Sequence, residues 1–262
     1  MSDPILLRAD ANGIATLTLN TPQSLNALST AMIAALTDAL GAVGQEPNIR
    51  VVVLKGAGKA FCAGHDLKEM QAARAAFDKG QAYFEQLFQA CAKMMLTLQN
   101  LPQPVIAQVH GIATAGGCQL AASCDLVTAA AGSRFGVNGV NIGLFCSTPM
   151  VALTRKIPRA VAFEMLTTGA FISAERAVEI GLANRVCPLE TLDAQTKELA
   201  QTIAGKLTAA VKIGKRLFYD QADLPIAAAY DLAGRAMVEN MLLRDTDEGI
   251  TAFLEKRPPD WH

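Results

Sequence analysis

Two short segments combine glycines, small residues and a histidine in a pattern suited to offering backbone amides to negative charge. The first is Lys59-Ala60-Phe61-Cys62-Ala63-Gly64-His65-Asp66-Leu67-Lys68-Glu69-Met70, the second His110-Gly111-Ile112-Ala113-Thr114-Ala115-Gly116-Gly117-Cys118-Gln119-Leu120. In the first, Asp66 followed three residues later by Glu69 reads as an acid-first capping box. A helix is expected from Leu67, with the amides of Gly64 and His65 just before it. In the second, Gly116-Gly117 opens a run of small apolar residues, and a helix N-terminus there would favour an anion through its unpaired N–H groups and dipole. Acyl-transfer or enolate chemistry needs two donors aimed at a developing oxyanion, which two such turns brought together would supply. Taken singly, each is also an ordinary strand-to-helix turn.

Nearby side chains offer further chemistry. The His65 imidazole titrates in a range suited to acid–base work, yet the position equally suits an exposed loop histidine beside a capped helix. His110, following a buried strand, reads as a structural hydrogen-bonding residue. Cys146 could be a nucleophile, but no basic partner lies near it in sequence, which favours an inert buried thiol. Ser147 could position a water or a substrate carboxylate, and capping the helix that starts there is the simpler reading. Gly56-Ala57-Gly58-Lys59 lacks the third glycine of a dinucleotide fingerprint and the spacing of a phosphate-binding loop. There is no GxSxG elbow and no HExxH pair.

The elements that must position these turns are readable from periodicity. Asn12-Gly13 marks a hairpin turn before the alternating strand Ile14–Leu19. Met32, Ile33, Leu36, Leu40 and Val43 recur at helical spacing behind Ser29 as N-cap. The run Val51-Val52-Val53-Leu54 reads as a strand buried on both faces, as in a parallel sheet. Helical segments around 66–79 and 81–100 lead to a strand at Val105–Val109, a helix after Gly116-Gly117 and a strand near 126–129. This recurring strand–helix pattern predicts an α/β architecture. Beyond Thr191 only helical segments are expected, at 191–206, 208–221 and 225–256. A boundary near Pro188 would divide a core, 1–188, from a helical C-terminal region, 189–262.

Along nearly its whole length the sequence resembles the crotonase, or enoyl-CoA hydratase/isomerase, family. The resemblance lies in LNTPQSLNALS, VVVLKGAGKAFCAGHDLKEM, PVIAQVHGIATAGGCQLAASCDLVTAA, SRFGVNGVNIGL, LTTGAFISAERAVEIGLANRV and EGITAFLEKR, in that order. It implies a crotonase-like repeated ββα superhelix of four turns with a helical C-terminal region, assembled as a homotrimer or dimer of trimers. It also implies an acyl-CoA or enoyl-CoA substrate whose carbonyl oxygen sits between two backbone N–H groups, which fall on His65 and Gly116. Coenzyme A enters as part of the substrate, and neither a tightly bound cofactor nor a metal is implied. Lys59, Ala63 and Lys256 or Arg257 are the candidates for holding the CoA portion.

The family pattern breaks at its acid–base residues. Hydratases of this family use two glutamates, which fall here on Gln119 and Gly139. A carboxamide exchanges no proton at ordinary pH, and glycine has no side chain. Each positioned acid–base group contributes roughly 10²–10⁴ in rate, so ordinary hydratase activity is not expected. Two readings stay open: an enzyme with altered acyl-CoA chemistry, and an acyl-CoA-binding protein without catalysis. Glutamate at both positions is expected to raise hydration.

Composition narrows the remaining classes. The chain of 262 residues is 51% hydrophobic and 18% charged with a net charge of −1, which argues against disorder and against a basic nucleic-acid footprint. Six cysteines without a CxxC pair read as reduced thiols. A strand beginning within a few residues of Met1 leaves little room for a signal segment, and no apolar run reaches the roughly 20 residues needed to cross a bilayer. No membrane partner and a cytoplasmic location are therefore expected.

Overall fold

The computed structural model describes residues 3–261. Strands β1 (Leu6–Ala11), β2 (Ile14–Leu19), β3 (Val51–Gly56), β4 (Val105–Val109), β6 (Leu126–Ala130) and β9 (Arg185–Cys187) form one sheet in the order β1-β2-β3-β4-β6-β9. A second sheet runs β5 (Ile112–Thr114), β7 (Arg134–Gly136), β8 (Phe171–Ser173). The helices are α1 (Thr30–Gly44), α2 (Leu67–Ala73), α3 (Gln81–Asn100), α4 (Gly116–Ser123), α5 (Ser147–Lys156), α6 (Arg159–Thr168) and α7 (Ala174–Glu179). Four more follow: α8 (Leu192–Ala204), α9 (Thr208–Asp220), α10 (Ile226–Met241) and α11 (Arg244–Leu254).

The hairpin turn at Asn12-Gly13 has φ of 52° and 75°, the two left-handed residues that match the twist of a β1–β2 ribbon. From β2 onward the large sheet is parallel, and β3 and β4 are almost wholly buried. One face carries Leu17, Leu19, Val52, Leu54 and Ala107 into the main core with α1 and α3. The other carries Ile14, Val51, Val53 and Ile106 against Ala200 and Ala204 of α8.

Four turns of ββα are visible in the backbone pairings. Each starts with a strand of the large sheet, β2, β3, β4 or β6, and ends in a helix, α1, α2, α4 or α5. Between strand and helix lies a second extended piece. It is the bridge residue Leu28 in the first turn, Cys62 to His65 in the second, β5 in the third and β7 in the fourth. These pieces pair side by side through Leu28 with His65, Cys62 with Ala113, and β5 with β7. Successive turns therefore stack their strand-to-helix junctions in one column.

Two expected helices are cut. The segment expected over 66–79 is helical only to Ala73, and Asp78 beyond it accepts from the amides of Gly80 and Ala82 at the start of α3. The single helix expected over 225–256 breaks at Leu242-Leu243 into α10 and α11. The Met1-Ser2 start lies outside the described residues.

The helical C-terminal region is anchored to the core by a buried ion pair. Lys215 of α9 reaches Asp125 at 2.7 Å and also donates to the carbonyls of Leu98 and Gln103 at 2.9 Å. Asp125 accepts in addition from the Tyr219 hydroxyl at 2.8 Å and the Val105 amide at 2.7 Å. Every oxygen and proton of the pair is thus engaged, which burial requires.

Candidate active site

The two glycine turns expected to carry chemistry stand at neighbouring junctions of the column. Gly64 has φ of +87°, and a Cβ there would lie 3.0 Å from the Gly116 nitrogen, the Ala115 Cβ and the Thr114 carbonyl oxygen. Only glycine leaves this gap open. A Cβ on Gly117 would lie 2.1 Å from the Cys62 carbonyl oxygen, so the two turns pack backbone to backbone.

Amide directions follow from peptide planarity. The Gly64 carbonyl accepts from Leu28 N–H at 2.8 Å, and because the peptide is trans the His65 N–H must point the opposite way, away from Leu28. The Ala115 carbonyl accepts from Gln119 N–H at 3.0 Å along α4, so the Gly116 N–H points back out of the helix start. Neither amide has an acceptor among the described residues. Ala115 holds φ of 49° and ψ of −119°, a strained conformation for a residue with a side chain, fixed by its own N–H bonding to Gly136 at 2.9 Å. All eight residues of α4 are buried, so its N-terminal partial charge acts in a water-poor setting.

Asp66 caps α2, accepting from the amides of Lys68 at 2.8 Å and Glu69 at 3.3 Å. The reciprocal half of the capping box is missing. Glu69 instead accepts from the Thr30 amide at 2.9 Å and the Tyr83 hydroxyl at 3.2 Å, tying α2 to α1 and α3.

The His65 ring lies against the second turn, 3.2 Å from where a Cβ on Gly116 would stand, and meets Phe88 edge-on at 5.5 Å. Burial pushes its pKa below the ordinary histidine value, and its Nε2 is buried without a partner. The imidazole is therefore neutral near pH 7. His110 makes its structural bond, with Nε2 2.8 Å from the Gly58 carbonyl oxygen.

Gln119 stands one helical turn beyond Gly116 and is 4% exposed, with Oε1 buried and unpartnered. Gly139 is packed shut. A Cβ there would lie 2.4 Å from the Leu144 carbonyl oxygen and 2.9 Å from the Cys146 sulfur, and its own carbonyl accepts from Leu144 N–H at 2.9 Å. A glutamate at this position would have to displace the 139–146 loop, whose Leu144 carbonyl and Cys146 sulfur occupy the space.

Cys146 is buried, and desolvation raises its thiol pKa. Cys62 and Cys118 are pushed up to about 12 by the same cause. Ser147 does not cap α5: it is the first helical residue, and its hydroxyl donates to the Phe145 carbonyl at 3.3 Å. Sequence reasoning missed Asn138, whose Oδ1 accepts from the Thr114 hydroxyl at 2.6 Å. Nothing in GVNG singles it out, since the partner is 24 residues away.

Of the candidates for the CoA portion, Ala63 lies within the first turn and Lys59 is exposed just before it. Lys256 and Arg257 follow α11, where Arg257 is engaged with Glu248 at 2.6 Å and Glu255 at 2.7 Å. Among the described residues no group of three or more His, Cys, Asp or Glu could hold a metal ion, and no helix is long and apolar enough to cross a membrane.

A family model described as enoyl-CoA hydratase/isomerase matches residues 9–262. A Xenopus laevis protein named enoyl-CoA hydratase domain-containing protein 3, mitochondrial, is 44% identical over 98% of this chain and 86% of its own. Its Homo sapiens counterpart is 44% identical over 95% and 81%. A crystal structure of enoyl-CoA hydratase from Mycobacterium smegmatis superposes with a TM-score of 0.95 at 52% identity, covering 99% of this chain and 100% of that one. The cytoplasmic location expected from sequence is overturned by the relatives' names, which are mitochondrial. Reduced thiols separate reducing from oxidising compartments but do not choose among reducing ones.

Proposed function

The chain belongs to the enoyl-CoA hydratase/isomerase family, and on that premise we propose that it binds acyl-CoA thioesters with the carbonyl oxygen between the His65 and Gly116 amides, stabilising an enolate there. The observation that supports this reading is that the His65 and Gly116 N–H groups lack acceptors among the described residues at two turns packed against each other beside Gly64. Each such donor is worth roughly 10²–10³ in rate when aimed at an oxyanion in a dry site. Gln119 orients a water or a substrate group, and Ser147 and Gly139 shape the far side of the acyl site. Lys59, Ala63 and Lys256 contact the CoA portion, whereas the ion pairs of Arg257 argue against its holding a phosphate.

Ordinary hydration is not part of this function. It needs groups that give and take a proton beside the double bond, and the two positions hold a carboxamide and a closed glycine. The same facts favour a second reading, an acyl-CoA-binding protein without turnover. Incubation in deuterated water with saturated and unsaturated acyl-CoA thioesters, followed by mass, separates the two. Deuterium at the α-carbon above a buffer control, lost in Gly64→Val, supports the enolate reading. Tight binding with no exchange leaves the binding protein.

Assembly as a homotrimer or dimer of trimers is supported by the surface of the C-terminal helices. Ile226, Tyr230, Met237, Leu242, Phe253 and Leu254 all stand exposed there, apolar side chains of the kind a subunit interface covers. Sedimentation of the purified protein tests it.

A further inference from the structure

A cavity of about 250 Å³ lies at the opposite end of the large sheet from the glycine turns, walled by Arg50, Lys206, Lys212, Asp245 and Trp261. We propose that it is a second ligand site, which takes a nucleoside phosphate. Arg50 stands just before β3, and the 60–65 turn follows the far end of that six-residue strand. At about 3.3 Å per residue, roughly 20 Å separates the cavity from the turns that present the His65 and Gly116 amides.

Three cations against one carboxylate, in a chain whose net charge is −1, favour an anion here. Among the described residues, neither Lys206 nor Lys212 forms an ion pair. Arg50 is fixed without being neutralised, because its Nη1 donates to the Ala204 carbonyl at 2.9 Å, where α8 ends and the chain turns toward α9. Thr208 and Ala209, the first residues of α9, also line the cavity, and no side chain caps that helix, so its first amides add to the positive field. The volume is about eight times the ~30 Å³ share of one water, more room than a bare phosphate fills. The other walls suit a nucleoside. Asp245 supplies a carboxylate that can accept from ribose hydroxyls, and Trp261 an indole on which a base can stack. Trp261 is held in place from two sides. Its ring stands where a Cβ on Gly249 would lie 2.8 Å from Cη2. Glu248 folds the tail before it back onto α11, accepting from Arg257 at 2.6 Å and from the Asp260 amide at 2.9 Å.

Trp261 is the only tryptophan in the chain, so its fluorescence reads this cavity without interference. Titration of the full-length protein with AMP is expected to change that emission saturably, and inorganic phosphate to bind at least about fivefold more weakly, the low end of what stacking one base contributes. By calorimetry, Lys206→Ala combined with Lys212→Ala weakens AMP at least about tenfold, the loss expected for charged hydrogen bonds, while the melting temperature stays at the wild-type value. Trp261→Leu brings AMP down to the affinity of phosphate. Phosphate and AMP binding equally would mean an adventitious anion only and would overturn the proposal. AMP affinity unchanged in the double lysine variant overturns it too, and so does acetyl-CoA displacing AMP, which would make the cavity part of the thioester site. AMP and acetyl-CoA bound together support it. If AMP binds and acetyl-CoA does not, the thioester reading fails and this one stands.

Discussion

Replacing Gln119 by glutamate tests directly how dry the surroundings of the start of α4 are. The side chain is 4% exposed with no partner for its oxygen, so the new carboxyl would be almost wholly desolvated. Full burial raises a carboxyl pKa by up to about 3–5 units, and the nearby start of α4 gives back up to about one unit. A value near 7 follows, against about 4.3 in the unfolded chain. Because the folded value is the higher, the unfolded state loses its proton first, and stability falls as pH rises from about 4.3 to about 7 and is flat above. At 1.36 kcal/mol per unit, the variant should be about 1.5 kcal/mol less stable than wild type near pH 5.5 and about 3.5 kcal/mol less stable near pH 8. Urea denaturation of both proteins at the two pH values measures the difference. A penalty that does not change with pH, or one that shrinks toward pH 8, would mean that a cation or a water channel reaches Gln119, and the reasoning would fail.

Three further outcomes are expected. Gly139→Glu should lower stability by roughly 1–3 kcal/mol, since its Cβ meets the Leu144 carbonyl, and should add no crotonyl-CoA hydration even combined with Gln119→Glu. A clear gain would show that the loop opens freely. Lys215→Met leaves Asp125 without its cation and should cost about 3–5 kcal/mol in chemical denaturation, whereas a loss under about 1 kcal/mol would show that the pair is not what anchors α9. Burial lowers the His65 pKa, so the unfolded state binds that proton first as pH falls and stability drops below about pH 6.5. His65→Gln should flatten that part of the stability profile, and an unchanged slope would place the pH dependence elsewhere.

Much of the site was legible along the chain because its parts are local. The start of α2 at Leu67 behind the Asp66 cap, the opening of α4 at Gly116 and the buried strands before each turn all rest on residues within a few positions of one another. The same locality explains what was misread. Ser147 has the chemistry of a cap, but the chain enters α5 with Cys146 at the cap position and turns the hydroxyl back to Phe145. Periodicity carried the C-terminal helix through Leu242-Leu243, although Asp245 and Asp247 just beyond the break are the acidic first turn of a new helix.

The sequence by itself determined the turns, the family pattern and the placing of an amide at Gln119 and no side chain at Gly139, because these depend on residue type and short-range spacing. Only the tertiary structure decided that the Gly64 and Gly116-Gly117 turns pack backbone to backbone, that a side chain at Gly139 would meet the Leu144 carbonyl, and that Asn138 is held by Thr114. Each of these is set by the stacking of successive ββα turns, which joins residues tens of positions apart through pairing and packing that no local preference encodes.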